Sequence, residues 1–274
     1  MLIKTADTRD DLVHGLHYVH ANGAQVAGVN SGAPAYRADV AAPTLTGCSA
    51  GQQGVPKDKF NSSTQKVADE WQAQLGAFRA KVVLVLPMDN CGDDKDRDGV
   101  FLYPAGFVRP RPDLGVSFFD RTMVTVTGVD VFTPVGAQVV PWAPAPLPLA
   151  KLASFGACQN GAACTAEIAA PSSVWHLNAP DPNSWPNFPT NFTNAATTCG
   201  NSFASGGCFG VSYAAPLVAG TAILILSNEP LLGALNVKNR ILDSATEDPA
   251  LAAFVEHNAN AKGGRLLNVR ATLP

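Results

Sequence analysis

The stretch KVVLVLP, residues 81–87, constrains the fold of this chain most, because five aliphatic residues follow one another in it. A strand that does not alternate apolar and polar residues must be covered on both faces. Such strands are typical of parallel sheets that carry helices on both sides. Further strands are predicted at MVTVTGV, residues 123–129, and, as shorter ones, at QVAGVN, residues 25–30, and AEIAAP, residues 166–171.

Helices are predicted between these strands. The first begins near Asp10 and Asp11, which can cap it, and ends at the pair 22–23 (Asn-Gly), which favours a left-handed stop. The second begins at Asn61 or Ser62. Apolar residues recur at helical spacing in both, at Leu12, Leu16 and Val19 and at Val67, Trp71, Leu75 and Phe78. The order of elements predicts an α/β fold, with a parallel β-sheet flanked by helices on both faces.

The rest of the chain fits one domain over residues 1–274. A long apolar helix begins at Ser212, and Asn236 is predicted to cap the helix after it. The inward residues of that last helix are predicted to be Val237, Ile241 and Leu242. Residues 33–60, rich in Pro, Gly and Ala, and the turn-rich residues 172–209 are predicted to be loop insertions.

Composition argues against several classes of partner. The chain is 46% hydrophobic and 15% charged with a net charge of -3, so no basic face is expected for nucleic acid or an anionic membrane. The longest apolar stretch, residues 214–226, is shorter than the roughly 18 residues of a membrane-spanning helix and contains Pro216 and Gly220. Met1 is followed by LIKTADTRDD, which lacks the features of a secretory signal.

The cysteines bear on the compartment. Cys158 and Cys164 bracket one short loop, and Cys199 and Cys208 bracket another, so each pair could close a disulfide. Zinc is the alternative, but no CxxC pair occurs and no histidine stands at ligand spacing. Disulfides are therefore favoured, and with them an oxidising, extracellular or periplasmic location.

The stretch GVSYAAPLVAG, residues 210–220, suggests a reactive or binding site. A serine at a helix N-terminus has its backbone N–H free to bind a developing oxyanion, and the helix dipole adds to this. The alternative is that Ser212 is only an N-cap serine that opens a core helix.

This stretch resembles the nucleophile motif GTSMAxPHVAG of the subtilisin-like serine proteases, with agreement at seven of eleven positions. The family also has a buried strand that ends in AAGNxG, whose asparagine is the second oxyanion donor, and here VVLVLPMDNCG ends similarly, with Asn90 in that position. By the same resemblance, Asn30, Ser31 and Gly32 form an edge that binds an extended peptide. Met88 and Asp89 alter the wall of the specificity pocket, where Asp89 could pair with a basic substrate side chain.

The resemblance implies a serine endopeptidase that forms an acyl-enzyme on Ser212 with Asn90 in the oxyanion hole. The family's catalytic Asp and His would lie upstream of the first helix, so the resemblance implies an N-terminally incomplete domain. A compressed triad of Asp7, His14 and Ser212 is an alternative, because HGLH at residues 14–17 imitates the family's HGTH motif.

Two other functions stay open at this point. Without an upstream base, the chain could be an inactive remnant that binds extended peptides. An α/β-hydrolase esterase could use Ser212 and His257, although GVSYA departs from the GxSxG elbow of that fold. The expected partner is a peptide or protein for both the serine endopeptidase and the inactive remnant.

No cofactor is expected, with one reservation. Asp94, Asp96 and Asp98 alternate in DDKDRDG and are followed by Gly99, as in the first half of a calcium loop. Ala105 stands where the closing glutamate is expected, which favours a solvated acidic turn over a calcium site.

Overall fold

The computed structural model describes residues 9–30, 32–42, 52–75, 81–117, 119–129, 132–135, 138–141, 153–156, 164–175, 207–257 and 263–274. The described helices are α1 (Arg9–Ala21), α2 (Lys57–Leu75), α3 (Val211–Asn228), α4 (Ala234–Asp243) and α5 (Val269–Thr272). The strands up to the middle of the chain are β1 (Val26–Gly28), β2 (Ala33–Arg37), β3 (Gln52–Val55), β4 (Val83–Pro87), β5 (Val100–Tyr103) and β6 (Met123–Val129). The later strands are β7 (Phe132–Val135), β8 (Gln138–Pro141), β9 (Ile168–Pro171), β10 (Ser173–Trp175), β11 (Gly207–Phe209), β12 (Thr246–Asp248) and β13 (Gly264–Leu266).

A six-stranded central sheet has the order β1-β4-β6-β9-β13-β12. All neighbours pair in parallel except β12 and β13, which are antiparallel. The predicted α/β fold with a mostly parallel sheet is confirmed. Separate small sheets are formed by β3-β2-β5, by β7-β8 and by β10-β11.

Helices cover both faces of this sheet, as the all-apolar strand β4 requires. Leu84 and Leu86 of β4 point into a core with α1 and α2, while Val83 and Val85 point into a second core with α3 and α4. All five residues of β4 are buried. Because side chains alternate along a strand, one aliphatic run contributes to two separate cores.

Two predicted helix starts are wrong by about one turn. The second helix begins at Lys57 and not at Asn61 or Ser62, because Phe60 is buried in the core and extends the apolar stripe upstream. The helix after α3 begins at Ala234, which is itself buried. Gly233 is its N-cap, so Asn236 lies inside the first turn and does not cap it.

Other predicted features are confirmed, and one predicted loop contains regular secondary structure. The predicted inward residues of α4 are buried, and Gly23, which follows α1, has a φ of 76°. The segment predicted as a loop insertion over residues 33–60 contains strands β2 and β3 and the start of α2. The second predicted insertion, residues 172–209, lies largely outside the described residues. Cys164 is buried, but Cys158 and Cys199 lie outside the described residues, so the two predicted disulfides stay predictions.

Candidate functional site

The carboxyl ends of the parallel strands form one edge of the central sheet, where ligands bind in open α/β sheets. Asn90 lies just after β4, and Ser172 directly follows β9. Helix α3 begins at the same edge, because Gly210, which precedes it, donates its N–H to the carbonyl oxygen of Ser172 at 3.0 Å. This edge therefore brings together the two residues predicted to act on substrate, Asn90 and Ser212.

Asn90 is fixed against the start of α3. Its Oδ1 accepts a hydrogen bond from the N–H of Val211 at 3.0 Å. Gly210 has a φ of 152°, a backbone conformation that favours glycine. A Cβ at that position would make an ordinary van der Waals contact with the Asn90 carboxamide at 3.5 Å, so the backbone conformation and not a lack of space favours glycine here. The hydrogen bond occupies the Oδ1 atom and leaves the Nδ2 group without a partner among the described residues.

Ser212 is not the N-cap of its helix. The cap is Gly210 and Ser212 is the second helical residue, so the alternative of a capping serine is wrong. Neighbouring amides are occupied, since Val211 donates to Asn90 and Tyr213 donates to the carbonyl of Gly210. Within the described part of the chain, neither the N–H nor the hydroxyl of Ser212 has a hydrogen-bond partner. The N–H is one of the unpaired donors of a helix N-terminus.

The residues predicted to bind substrate differ in exposure. Asn30 and Gly32 follow the edge strand β1, and Asn30 is exposed, whereas Ser31 lies outside the described residues. Met88 is fully buried in the core that contains α1 and α2, so its side chain does not line an open pocket.

Asp89 is 9% exposed, and its charge is used within the fold. Its Oδ2 lies 2.8 Å from the Nζ of Lys95, a lysine with no exposed surface. Asp93 pairs with the same Nζ at 2.5 Å. This arrangement argues against the expectation that Asp89 recognises a basic substrate side chain, because a buried carboxylate with its own cation is poorly placed to bind another.

The alternating aspartates after Asn90 turn toward different partners. Asp96 pairs with Arg109 and accepts from the backbone N–H of Thr165, while Asp98 pairs with Arg37 at 2.8 Å. Asp94 Oδ1 accepts from the N–H of Asp96 at 2.8 Å. Calcium binding at Asp94, Asp96 and Asp98 stays a prediction, and it would require two arginines to leave their carboxylates.

The histidines that can be placed lie away from Ser212. His14 is an exposed residue of α1, which packs on the face of the sheet opposite to α3. His257 follows Glu256, whose N–H donates to the carbonyl of Ala166 at the amino end of β9. Ser212 lies at the carboxyl end of the strands, so this position contradicts the esterase alternative. Asp7 of the compressed triad lies outside the described residues.

The structure is similar to several solved proteases and to a toxin subunit. A lanthipeptide protease has a TM-score of 0.52 and 13% identity, with 96% of this chain and 65% of that chain covered. The A subunit of the AB5 toxin from E. coli has a TM-score of 0.50 and 14% identity, with 97% and 66% covered. PagA, a prenylagaramide maturation protease, has a TM-score of 0.49 and 17% identity, with 100% and 70% covered. This chain therefore spans about two thirds of the length of the first two.

These comparisons correct the predicted membership in the subtilisin-like serine proteases. No family model matches the chain, and no curated protein matches it. The lanthipeptide protease and the toxin A subunit, at 13% and 14% identity, show a likeness of fold alone. The predicted acyl-enzyme mechanism on Ser212 is corrected with the family, because the likeness supports a protease-like fold and carries no serine mechanism. The alternatives of an inactive subtilase remnant and an esterase are not supported either.

Sequence reasoning missed two residues that support this edge. Lys95 lies in the acidic stretch DDKDRDG, where the sequence predicts a solvated turn and gives no indication that the lysine is buried. Ser154, whose hydroxyl contacts Asp89 and whose N–H donates to the Asp89 carbonyl at 2.9 Å, gave no signal in the sequence. Both act on the turn that carries Asn90.

Proposed function

We propose that this protein is a peptidase-like enzyme that binds a peptide or protein substrate at the carboxyl edge of its central sheet. The observation that carries the proposal is a pair of hydrogen-bond donors, one on Asn90 and one on Ser212, on either side of a single hydrogen bond. The Nδ2 group of Asn90 and the N–H of Ser212 both lack partners among the described residues, while the Oδ1 of Asn90 and the N–H of Val211 between them are joined at 3.0 Å.

Two such donors suit a peptide carbonyl oxygen, which accepts two hydrogen bonds. The N-terminus of α3 adds a favourable dipole for partial negative charge on that oxygen. Asn90 and Ser212 are both half-buried, so water can reach these donors in the free protein, and a carbonyl oxygen of the substrate can replace that water. We infer that Asn90 and Ser212 contact a backbone carbonyl group of the bound peptide.

Asn30 and Gly32 are proposed to bind the flanking residues of the substrate. They follow β1, the strand at one edge of the central sheet, where an added extended segment can find backbone partners. The fold is supported by likeness to a lanthipeptide protease and to the A subunit of a toxin, and the proposal extends that likeness to activity. A location in an oxidising compartment and the absence of nucleic-acid and membrane partners stay predictions.

Incubation of the purified protein with a peptide library, followed by mass spectrometry, tests the proposed activity, and titration with the same peptides tests binding. The decisive variant is Asn90→Asp, which keeps the oxygen that accepts from Val211 and replaces the Nδ2 donor with a second acceptor. Both binding and cleavage are expected to fall in this variant. The matched control is Asn236→Asp, the same change at an exposed position in the first turn of α4.

Equal loss in both variants would show that the added charge, and not the lost donor, is responsible. A protein that neither binds nor cleaves any peptide in the library would overturn the proposed function.

A further inference from the structure

A buried cluster of charges lies directly behind the candidate site. Lys95 has no exposed surface, and its Nζ lies 2.8 Å from Asp89 and 2.5 Å from Asp93. The hydroxyl of Tyr36 accepts from the same Nζ at 2.9 Å and donates to Asp93 Oδ2 at 3.2 Å. Buried lysines are rare unless they are paired in this way, so the cluster has a defined internal geometry.

Lys95 is held in its charged form. Burial acts to lower the pKa of Lys95, but the charges of Asp89 and Asp93 outweigh it and raise the pKa above its usual value. Arg111 approaches the cluster only through the Lys95 carbonyl oxygen, to which it donates at 3.1 Å, and its guanidinium is paired with Asp113. The Lys95 ammonium is therefore the cation that Asp89 and Asp93 share.

This cluster is linked to Asn90 through a short series of contacts. Asp89 Oδ1 accepts from the N–H of Cys91 at 3.2 Å and from the hydroxyl of Ser154, so one carboxylate spans the turn that holds Asn90. Its other oxygen is held by Lys95. Ser154 also donates its N–H to the Asp89 carbonyl at 2.9 Å, which fixes the same turn from a second direction.

We propose that Lys95 is a positioning residue for the carbonyl-binding site. Its ammonium holds Asp89, and through the turn over residues 89–91 it holds the Asn90 carboxamide against Val211. This inference rests on the proposed function, because it assigns Lys95 to the same site. Groups that hold a ligand-binding residue from behind affect affinity without touching the ligand.

Replacement of Lys95 by methionine tests the proposal, because Lys95→Met keeps the length of the side chain and removes its charge. The side-chain amide resonance of Asn90, assigned by its loss in Asn90→Asp, is expected to shift or broaden in the absence of any peptide. Peptide affinity is expected to fall by about tenfold, at the lower end of the losses seen when residues that hold a metal ligand in place are removed.

The matched control is Lys238→Met. Lys238 is also buried and pairs with Glu167 at 2.6 Å, but Glu167 precedes β9 at the amino edge of the sheet, away from Asn90. This variant loses a comparable ion pair, so it is expected to lower stability while the Asn90 resonance and peptide affinity stay as in the wild type. An equal change in both variants would assign a general structural role to Lys95 and overturn the proposal.

A charge-balancing variant provides rescue. In Asp89→Asn with Lys95→Met, the carboxamide oxygen still accepts from Cys91 and one buried negative charge is gone, so the Asn90 resonance is expected to return toward its wild-type position.

If Lys95→Met does not fold, Asp89→Asn alone decides: a changed Asn90 resonance supports the proposal and an unchanged one overturns it. The Asn90 resonance is measured without peptide, so it tests the role of Lys95 separately from the proposed function. A wild type that binds no peptide would overturn the proposed function, while the Asn90 resonance would still show whether Lys95 positions Asn90.

Discussion

The carboxamide oxygen of Asn90 and the backbone N–H of Val211 form a 3.0 Å hydrogen bond across 121 positions of the chain. This contact joins the end of β4 to the start of α3, so it holds together two elements that belong to the same core. It also decides which atoms of Asn90 remain for a ligand.

Substitutions at Asn90 are expected to separate stability from binding. Asn90→Ala removes the acceptor of Val211, a residue that is 1% exposed, and should cost about 1–3 kcal/mol because a buried N–H loses its partner. Asn90→Asp keeps an acceptor there, so it should retain most of that stability while it loses peptide binding. Urea unfolding and peptide titration of both variants check this, and equal destabilisation by the two would contradict the assigned role of the Oδ1 atom.

Gly210 is expected to tolerate no side chain. Its φ of 152° lies in a region that is open almost only to glycine, so Gly210→Ala should cost about 1–3 kcal/mol in unfolding free energy. The control is Gly220→Ala in the middle of α3, where a Cβ would meet no atom within 4 Å. That change should stabilise the protein by about 0.5–1 kcal/mol, because alanine is the better helix former. Thermal unfolding of both variants measures the difference in sign.

The sequence predicted four of the six strands of the central sheet, β1, β4, β6 and β9, because their apolar runs are local signals, and it did not predict β12 and β13. An aliphatic run such as Val83–Pro87 is typical of a parallel sheet with helices on both faces. The predicted strand MVTVTGV matches β6 residue for residue. Helix starts were less certain, because Phe60 and Ala234 reveal their burial only in the tertiary structure.

The site was predictable in part. The sequence brought Asn90 and Ser212 together through a resemblance between motifs, and the contact of Asn90 with Val211 places them at one edge. The ion pair of Asp89 with Lys95 could not be predicted, because two residues six positions apart in an acidic turn give no indication of which side chains fold inward. The same holds for Ser154, which is 65 positions from Asp89.

Calcium is expected to leave the melting temperature unchanged. Asp96 and Asp98 are already paired, with Arg109 and Arg37, so an ion would have to displace two guanidinium groups to collect their oxygens. Thermal unfolding with calcium and with a chelator checks this expectation. A rise in melting temperature with calcium that is lost in Asp96→Asn would establish a calcium site at these aspartates.

Arg37 is expected to stabilise the fold at neutral pH and to lose that effect in acid. Its hydrogen bonds lower the pKa of Asp39 and Asp98 below their usual values. A carboxylate whose pKa is lowered by folding stabilises the protein above its usual pKa of about 4 and loses this contribution as the pH falls through the lowered value. The difference in unfolding free energy between wild type and Arg37→Met should therefore shrink as the pH falls below about 4.

Urea unfolding at a series of pH values measures that difference. Arg270→Met, at an exposed position of α5, serves as the control and should show no such trend. A difference for Arg37→Met that stays constant down to the lowest pH would show that the arginine acts through packing and not through its charge.

Substitutions on the inner and outer sides of helix α3 are expected to differ in their effect on stability. By length and composition, it is the one helix among the described residues that is apolar enough to cross a membrane, yet Ile225 on its inner side is fully buried against the sheet. Ile223 on its outer side is 57% exposed. Ile225→Ala should cost about 2–5 kcal/mol because it opens a cavity in the core, whereas Ile223→Ala should change stability by no more than about 0.5 kcal/mol.

The same outer side is expected to promote self-association. Leu217 and Leu224 are exposed on it together with Ile223, and exposed apolar side chains on one helix lower solubility. Ile223→Lys with Leu224→Lys should reduce light scattering at high protein concentration, because the added charges interrupt the apolar surface and make its burial between two molecules costly. The melting temperature should stay close to that of the wild type, and a large fall would show that these side chains support the fold itself.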